Sequence, residues 1–177
     1  MKRILVLAGL GVLGPIVQGA VSPYLPRGMC PDGGLLIVVA IGLTLRSTLS
    51  GVLLTGWVGF VSDLLSGSLL GQHVMARLAA FCVARLAGFQ MNLQGGFAQI
   101  VLTGAVTLVS SALLAGLTAF FTSGAAAPMA SPAEIGWHTA VNALCAPFAV
   151  AIVGRVVRGL GDDDGRRVLP LEPRSFA

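Results

Sequence analysis

Long runs of apolar residues, separated by short polar connections, cover most of this chain. The clearest run is 97–121, whose 25 residues include no charged side chain. An α-helix rises 1.5 Å per residue, so a helix of this length would reach ~37 Å. The hydrocarbon core of a bilayer is ~30 Å thick. We therefore predict that this run forms a membrane-spanning helix.

Five further apolar runs follow the same pattern, at 4–25, 33–45, 49–62, 69–88 and 135–157. The runs 33–45 and 49–62 are short for a full crossing, and they could form two compact spans or a re-entrant pair. We favour two crossings. A cleaved signal peptide at 4–25 is disfavoured because the run is long and Gln18-Gly19-Ala20 matches a cleavage site poorly.

The hydropathy pattern thus predicts an all-α polytopic membrane protein with about six transmembrane helices. We expect a single transmembrane domain over residues 1–158 and a polar cytoplasmic tail, predicted to be disordered, over 159–177. A Ser/Ala/Pro-rich loop is expected at 122–134, before the last helix.

The overall composition supports a membrane protein and excludes several other classes. Hydrophobic residues make up 55% of the 177 residues and charged residues only 10%, whereas soluble domains carry roughly 25% charged residues. A soluble domain, a disordered chain and a nucleic-acid-binding module are therefore excluded. The three cysteines have no metal-type spacing, and we expect no cofactor.

The basic residues predict how the chain is oriented. Cytoplasmic loops of membrane proteins are enriched in Lys and Arg. With six spans and a cytoplasmic N-terminus, Arg27, Asp32, Asp63 and Glu134 lie at or near the outer side. Both termini are then cytoplasmic. The basic residues placed at the cytoplasmic side are Lys2, Arg3, Arg46, Arg85, Arg155, Arg158, Arg166, Arg167 and Arg174.

Arg77 lies inside the fourth apolar run, and a charge within a membrane needs a partner. One hypothesis is an Asp63–Arg77 ion pair that fixes the packing of the third and fourth segments. Asp63 could instead cap the free amides of the following helix, and the two roles can coexist. Gly67 and Gly71 have the Gly-x-x-x-Gly spacing of a close helix contact. His73 is expected to fill a polar packing role, as is the second histidine, His138.

The chain lacks the motifs of familiar enzymes, including His-Glu-x-x-His, Gly-x-Ser-x-Gly and Gly-Lys-Ser/Thr. A membrane aspartyl pair of Asp32 and Asp63 would need the two carboxyl groups close together, and we disfavour it. Pro31 and Asp32 suit the start of a helix. Their loop is also a candidate contact with a periplasmic domain. We assign no catalytic residue.

Two blocks are more specific than composition. The first begins Pro31-Asp32-Gly33-Gly34 and runs on to Leu45-Arg46, and the second is a Gly-rich helix closing in 63–71, Asp-Leu-Leu-Ser-Gly-Ser-Leu-Leu-Gly. Together they resemble the rod shape-determining protein MreD family over about residues 31–88. The candidate structural or partner-binding residues are those of these two blocks together with the intramembrane arginine: Pro31, Asp32, Arg46, Asp63, Ser66, Gly67, Gly71 and Arg77.

The resemblance implies a non-catalytic inner-membrane subunit of the bacterial cell-elongation machinery. Such proteins bind MreC, and through it they join MreB, RodA and the elongation transpeptidase in lateral peptidoglycan synthesis. The family is also similar in fold to the substrate-binding subunits of energy-coupling-factor transporters. The alternative function is therefore a substrate-binding membrane subunit of a small-molecule (vitamin-type) importer.

Overall fold

A computed structural model describes residues 2–26, 28–67, 69–90, 95–121 and 131–160. These residues form six α-helices and a 3-10 turn, Ser22–Tyr24, which follows the first helix. The helices are α1 (Lys2–Val21), α2 (Gly33–Thr44), α3 (Thr48–Ser66), α4 (Gln72–Gln90), α5 (Gly96–Phe121) and α6 (Pro132–Gly159).

Each helix lies on one of the six predicted apolar runs, but several boundaries differ by up to four residues. We expected the third run to end at Ser62, whereas α3 continues to Ser66 and ends at Gly67, whose φ of 62° is left-handed. Glycine adopts this conformation at little cost, so it often terminates a helix. Helix α6 begins before residue 135, because Ser131 and Glu134 form a capping box around its first turn.

The predicted loop and tail are only partly covered by the structure. Residues 131–134 belong to the start of α6, and α6 continues to Gly159. Residues 122–130 and 161–177 lie outside the described residues, and so do the loop and the disordered tail predicted there.

Four helical stretches are long and apolar enough to cross a membrane: Lys2–Tyr24, Thr48–Ser66, Gly96–Phe121 and Pro132–Gly159. Helix α2 is apolar but has only 12 residues, which corresponds to ~18 Å. Helix α4 has 19 residues and carries two arginines and a histidine. Large apolar side chains are widely exposed on the outer faces of the bundle. Soluble proteins rarely expose such extensive apolar surface, whereas lipid-facing helices do.

Helix α2 forms the centre of the bundle. It packs against α1, α3, α4 and α6 and also touches α5, and eight of its 12 residues are buried. The other helices surround it in the order α1, α3, α4, α5, α6, and each packs against the next. The ring is nearly open between α6 and α1, whose mutual contact is slight.

Helices α1 and α2 approach each other at a pair of glycines. A Cβ atom at Gly33 would lie 2.8 Å from the carbonyl oxygen of Gly14, and one at Gly14 would lie 3.0 Å from the carbonyl carbon of Gly33. Real Cβ atoms require more space than this, so both positions need glycine for backbone-to-backbone contact. The contact holds α1 against the central helix on one side of the opening.

Candidate functional site

The loop before α2 runs along the first turns of α6, in the same direction as that helix, from Glu134 to Asn142. At the top, a Cβ atom at Gly28 would lie 2.5 Å from the Glu134 carbonyl oxygen, so the two backbones are in contact. Lower down, the Asp32 amide donates a 2.7 Å hydrogen bond to Oδ1 of Asn142. The eight residues from Glu134 to Asn142 correspond to ~12 Å of helical rise. Helix α2 therefore starts ~12 Å further along the α6 axis than Glu134.

His138 joins this loop to α6 between those two contacts. Its Nδ1 lies 3.2 Å from the Cys30 carbonyl oxygen, and its Nε2 lies 3.2 Å from Nδ2 of Asn142. A carbonyl oxygen can only accept, so Nδ1 carries the proton and Nε2 accepts from the amide. The polar packing role expected for His138 is confirmed.

Asp32 caps the buried start of α2. One carboxylate oxygen accepts a 3.0 Å hydrogen bond from the Leu35 amide, which identifies Asp32 as the N-cap of α2. Nη2 of Arg77 lies 2.7 Å from Oδ1 and 2.8 Å from Oδ2 of the same carboxylate. Asp32 is only 9% exposed and Arg77 only 3%. The helix-start interpretation is confirmed, and the carboxylate faces into the bundle.

The hypothesis of an Asp63–Arg77 ion pair is wrong, because Arg77 pairs with Asp32. Sequence spacing favoured Asp63 since it lies 14 residues from Arg77, whereas Asp32 lies 45 residues away. The descent of the loop along α6 brings Asp32 to the level of the second turn of α4. A contact of this kind depends on the tertiary path of the loop.

Asp63 instead caps α4, and this alternative is confirmed. Its carboxylate accepts 2.8 Å hydrogen bonds from the amides of Gly71 and His73, with a longer one of 3.4 Å from Val74. The Nδ1 atom of His73 lies 3.0 Å from the carboxylate as well. The first amides of a helix have no partner within it, and they carry partial positive charge. A buried carboxylate in the last turn of α3 satisfies them.

Gly67 and Gly71 do not form the expected helix-packing contact. Both lie outside helices with positive φ angles, 62° and 95°, and nothing lies within 4 Å of a Cβ atom at either position. Gly67 ends α3, and Gly71 immediately precedes α4. Ser66 donates to the Asp63 carbonyl at 3.3 Å. The Asp63 carboxylate thus ties the last turn of α3 to the start of α4.

Arg85 plays the corresponding part at the opposite end of the bundle. Its guanidinium donates to the carbonyls of Leu45 and Arg46, the latter at 2.6 Å, and it stacks 4.8 Å from the ring centre of Phe89. The last carbonyls of a helix also lack partners within it. Arg85 also reaches the Gly42 carbonyl within α2 at 3.5 Å, so it binds the C-terminal end of α2 and the two residues after it. The side chain of Arg46 is exposed. The sequence predicted on which side of the bundle Arg85 lies, but not the carbonyl groups that it binds.

Two cavities flank α1. An apolar groove of about 360 Å³ lies where the ring is open, between α1, α2 and α6. A second, half-polar cavity of about 220 Å³ lies on the other side of α1, against α3 and α4. We call them the apolar groove and the polar cavity. The groove is lined by Leu10, Leu13, Gly14, Val17, Gln18, Val21, Cys30, Pro31, Gly33, Leu36, Ile37, Ala149, Ile152 and Val153. The cavity is lined by Pro15, Gln18, Gly19, Ser22, Asp32, Ser62, Leu65, Ser66, His73 and Arg77.

The structure therefore gathers part of the predicted site and disperses the rest. Asp32, Ser66 and Arg77 line the polar cavity, Pro31 lines the apolar groove, and Arg46 lies at the far end. Asn142 and Gln18 were missed, because a single polar residue in an apolar run indicates no particular partner. Among the described residues, no three His, Cys, Asp or Glu side chains group closely enough to hold a metal ion.

Comparisons with known proteins give no match. No protein-family model, no curated protein and no solved structure matches this chain. Its function has to be inferred from its own residues and geometry.

Proposed function

We propose that this protein is a non-catalytic subunit of the bacterial cell-elongation machinery in the inner membrane, and that it acts by binding MreC. Support comes from the resemblance of its Pro-Asp and Asp-x-x-Ser-Gly blocks to the MreD family. The observation that carries the proposal is the opening of the helix ring between α1 and α6. A subunit that works by docking needs such a surface within the membrane.

In this proposal the chain crosses the membrane six times. Helix α2 is too short to cross alone, but the loop before it descends ~12 Å along α6 and α2 adds ~18 Å. Their sum is about the ~30 Å of a hydrocarbon core. Non-helical backbone is tolerated at such depth only where protein or a cavity covers it. The hydrogen bonds of His138 and Asn142 supply that cover.

The N- and C-termini are cytoplasmic in this proposal. Arg85 and Arg46 meet at one end of the bundle, and Asp32 and Asp63 are bound near the other. The positive-inside tendency of membrane proteins places the arginine end in the cytoplasm.

The apolar groove is the proposed docking site for a transmembrane helix of MreC. Association of helices within lipid depends on close van der Waals packing. A helix seated between α1 and α6 would complete the ring around α2. It would cover groove residues such as Val17 and the half-exposed Ile152. Through MreC the protein would join MreB, RodA and the elongation transpeptidase.

Co-purification with MreC from the same cell, in mild detergent, tests this proposal. Ala149→Trp places a bulky ring in the groove, and Ala151→Trp makes the same change on the same helix, at an exposed position outside the groove. We expect the wild-type chain and Ala151→Trp to retain MreC, and Ala149→Trp to lose most of it.

Equal retention by both variants would show that the groove is not the interface. A well-folded wild-type protein that fails to retain MreC would contradict the elongation function itself. If that protein carried a bound small molecule, the importer alternative would replace it. Size-exclusion chromatography of each variant controls for folding.

A further inference from the structure

The polar cavity has a buried floor and an exposed mouth. Ser62, Asp32 and Arg77 are buried at its floor, at 7%, 9% and 3% exposure. Ser22 and Ser66, which also line it, are exposed. Its volume of about 220 Å³ equals the liquid volume of about seven water molecules. The cavity therefore leads from the bundle surface to the Asp32–Arg77 pair.

The guanidinium of Arg77 has more donors than Asp32 uses. Both hydrogen bonds to Asp32 come from Nη2, and Nε is buried without a partner among the described residues. A guanidinium carries five N–H groups, and buried donors are normally satisfied. The Arg77 side chain lines the cavity, so an oxygen acceptor inside the cavity would lie beside a guanidinium whose donors Asp32 does not all use.

The fixed charges around the cavity balance when His73 is neutral. Arg77 is positive, whereas Asp32 and Asp63 are negative. Each carboxylate caps a helix, α2 or α4, and each helix N-terminus carries about +0.5 of a charge. An added anion would therefore be an uncompensated charge in a mostly buried site, which is strongly unfavourable. A neutral solute would not meet this cost.

We propose that the polar cavity binds a small neutral solute bearing carbonyl or hydroxyl oxygens, and that it discriminates against anions. An oxygen of the solute accepts from Arg77, and the amide of Gln18 offers further hydrogen bonds, whereas the Ser62 hydroxyl already donates to the Val58 carbonyl. This inference is independent of the MreC proposal, because apart from Gln18 the cavity and the apolar groove have different lining residues.

Cysteine alkylation with two reagents of nearly equal size tests this inference. Iodoacetamide is neutral and iodoacetate is an anion at neutral pH. The full chain would carry Ser62→Cys in a background with the three native cysteines replaced by alanine. Ser110→Cys is the matched control, because Ser110 is 5% exposed but lines neither cavity. Tyr24→Cys, at a position 87% exposed, gives the intrinsic ratio of the two rates.

We expect iodoacetamide to modify Ser62→Cys while Ser110→Cys stays unmodified. The ratio of iodoacetamide to iodoacetate rates should be at least about tenfold higher at position 62 than at position 24. Using a ratio at one thiol removes differences in thiol ionisation. Modification no faster than at position 110 would overturn the inference, since solutes would not enter. An unchanged ratio would overturn the discrimination against anions.

Binding itself is measured by protection. Lactamide should slow the iodoacetamide reaction of Ser62→Cys in a saturable way, and lactate at equal ionic strength should not. Gln18→Leu in the same background should weaken protection by lactamide while leaving the protein monodisperse. Absence of protection by lactamide, or equal protection by lactate, would refute the proposal. These results do not depend on MreC, so the two proposals can fail separately.

Discussion

Removing the positive partner of the buried Asp32–Arg77 pair should be the most damaging single change in this protein. Arg77→Met keeps the apolar stem, but among the described residues it leaves the Asp32 carboxylate with the Leu35 amide as its single donor. Removing one member of a buried ion pair costs about 3–5 kcal/mol, because the remaining charge is uncompensated. Both residues are at least nine-tenths buried, so we expect a loss of unfolding free energy in this range.

A double-mutant cycle separates the pair from the surrounding packing. Asp32→Asn removes the opposite charge while keeping a side-chain oxygen for the α2 cap. The double variant Asp32→Asn/Arg77→Met contains neither charge. We expect it to be more stable than the sum of the single changes predicts, by about 1–3 kcal/mol.

Unfolding by SDS in mixed micelles, followed by the fluorescence of Trp57 and Trp137, provides the free energies. The cycle of Asp63→Asn with Arg77→Met is the control, because Asp63 binds α4 amides instead of Arg77. Its coupling should be less than half that of the Asp32 cycle. Additivity of Asp32→Asn and Arg77→Met within about 0.5 kcal/mol would refute the pairing.

Three further changes have expected outcomes in the same unfolding assay. Gly33→Ala should cost about 1–3 kcal/mol, because its Cβ would overlap the Gly14 carbonyl oxygen. The control Gly19→Ala has open space around it and should cost little. An equal loss of stability in the two variants would contradict the close contact between α1 and α2. Gly67→Ala should cost about 1–2 kcal/mol because its φ is left-handed; a neutral result would rule out that cap. Arg85→Leu should cost about 1–3 kcal/mol by leaving the carbonyls of Leu45 and Arg46, just after α2, without their donor, whereas unchanged stability would show that water replaces the guanidinium.

The positions of the helices could be predicted from the sequence, because apolar run length is a local property. All six helices lie on the predicted runs. The end of α3 was placed four residues too early, at the polar pair Ser62 and Asp63. Both side chains are buried, and hydropathy cannot distinguish a polar residue that leaves a helix from one that faces a neighbouring helix.

The partners of the charged residues were harder to predict. The cap made by Asp63 is nearly local, eight to eleven residues from its amide donors, and capping chemistry indicated it. The partner of Arg77 was missed, because it depends on a loop that descends along a helix 110 residues later in the chain. Neither periodicity nor spacing carries that information.

The hydrogen bond between Asp32 and Asn142 links the second helix of the chain to the last. While the ribosome is still making α3, α4 and α5, the partner of the Asp32 amide does not yet exist. The surface of α2 that packs against α6 therefore has no protein partner until α6 has been synthesised and inserted. Synthesis from the N-terminus thus produces the core of this bundle second and encloses it last. In a chain truncated before α6, the most apolar helix would lack its partner on one side, and we expect membrane proteases to degrade such a chain.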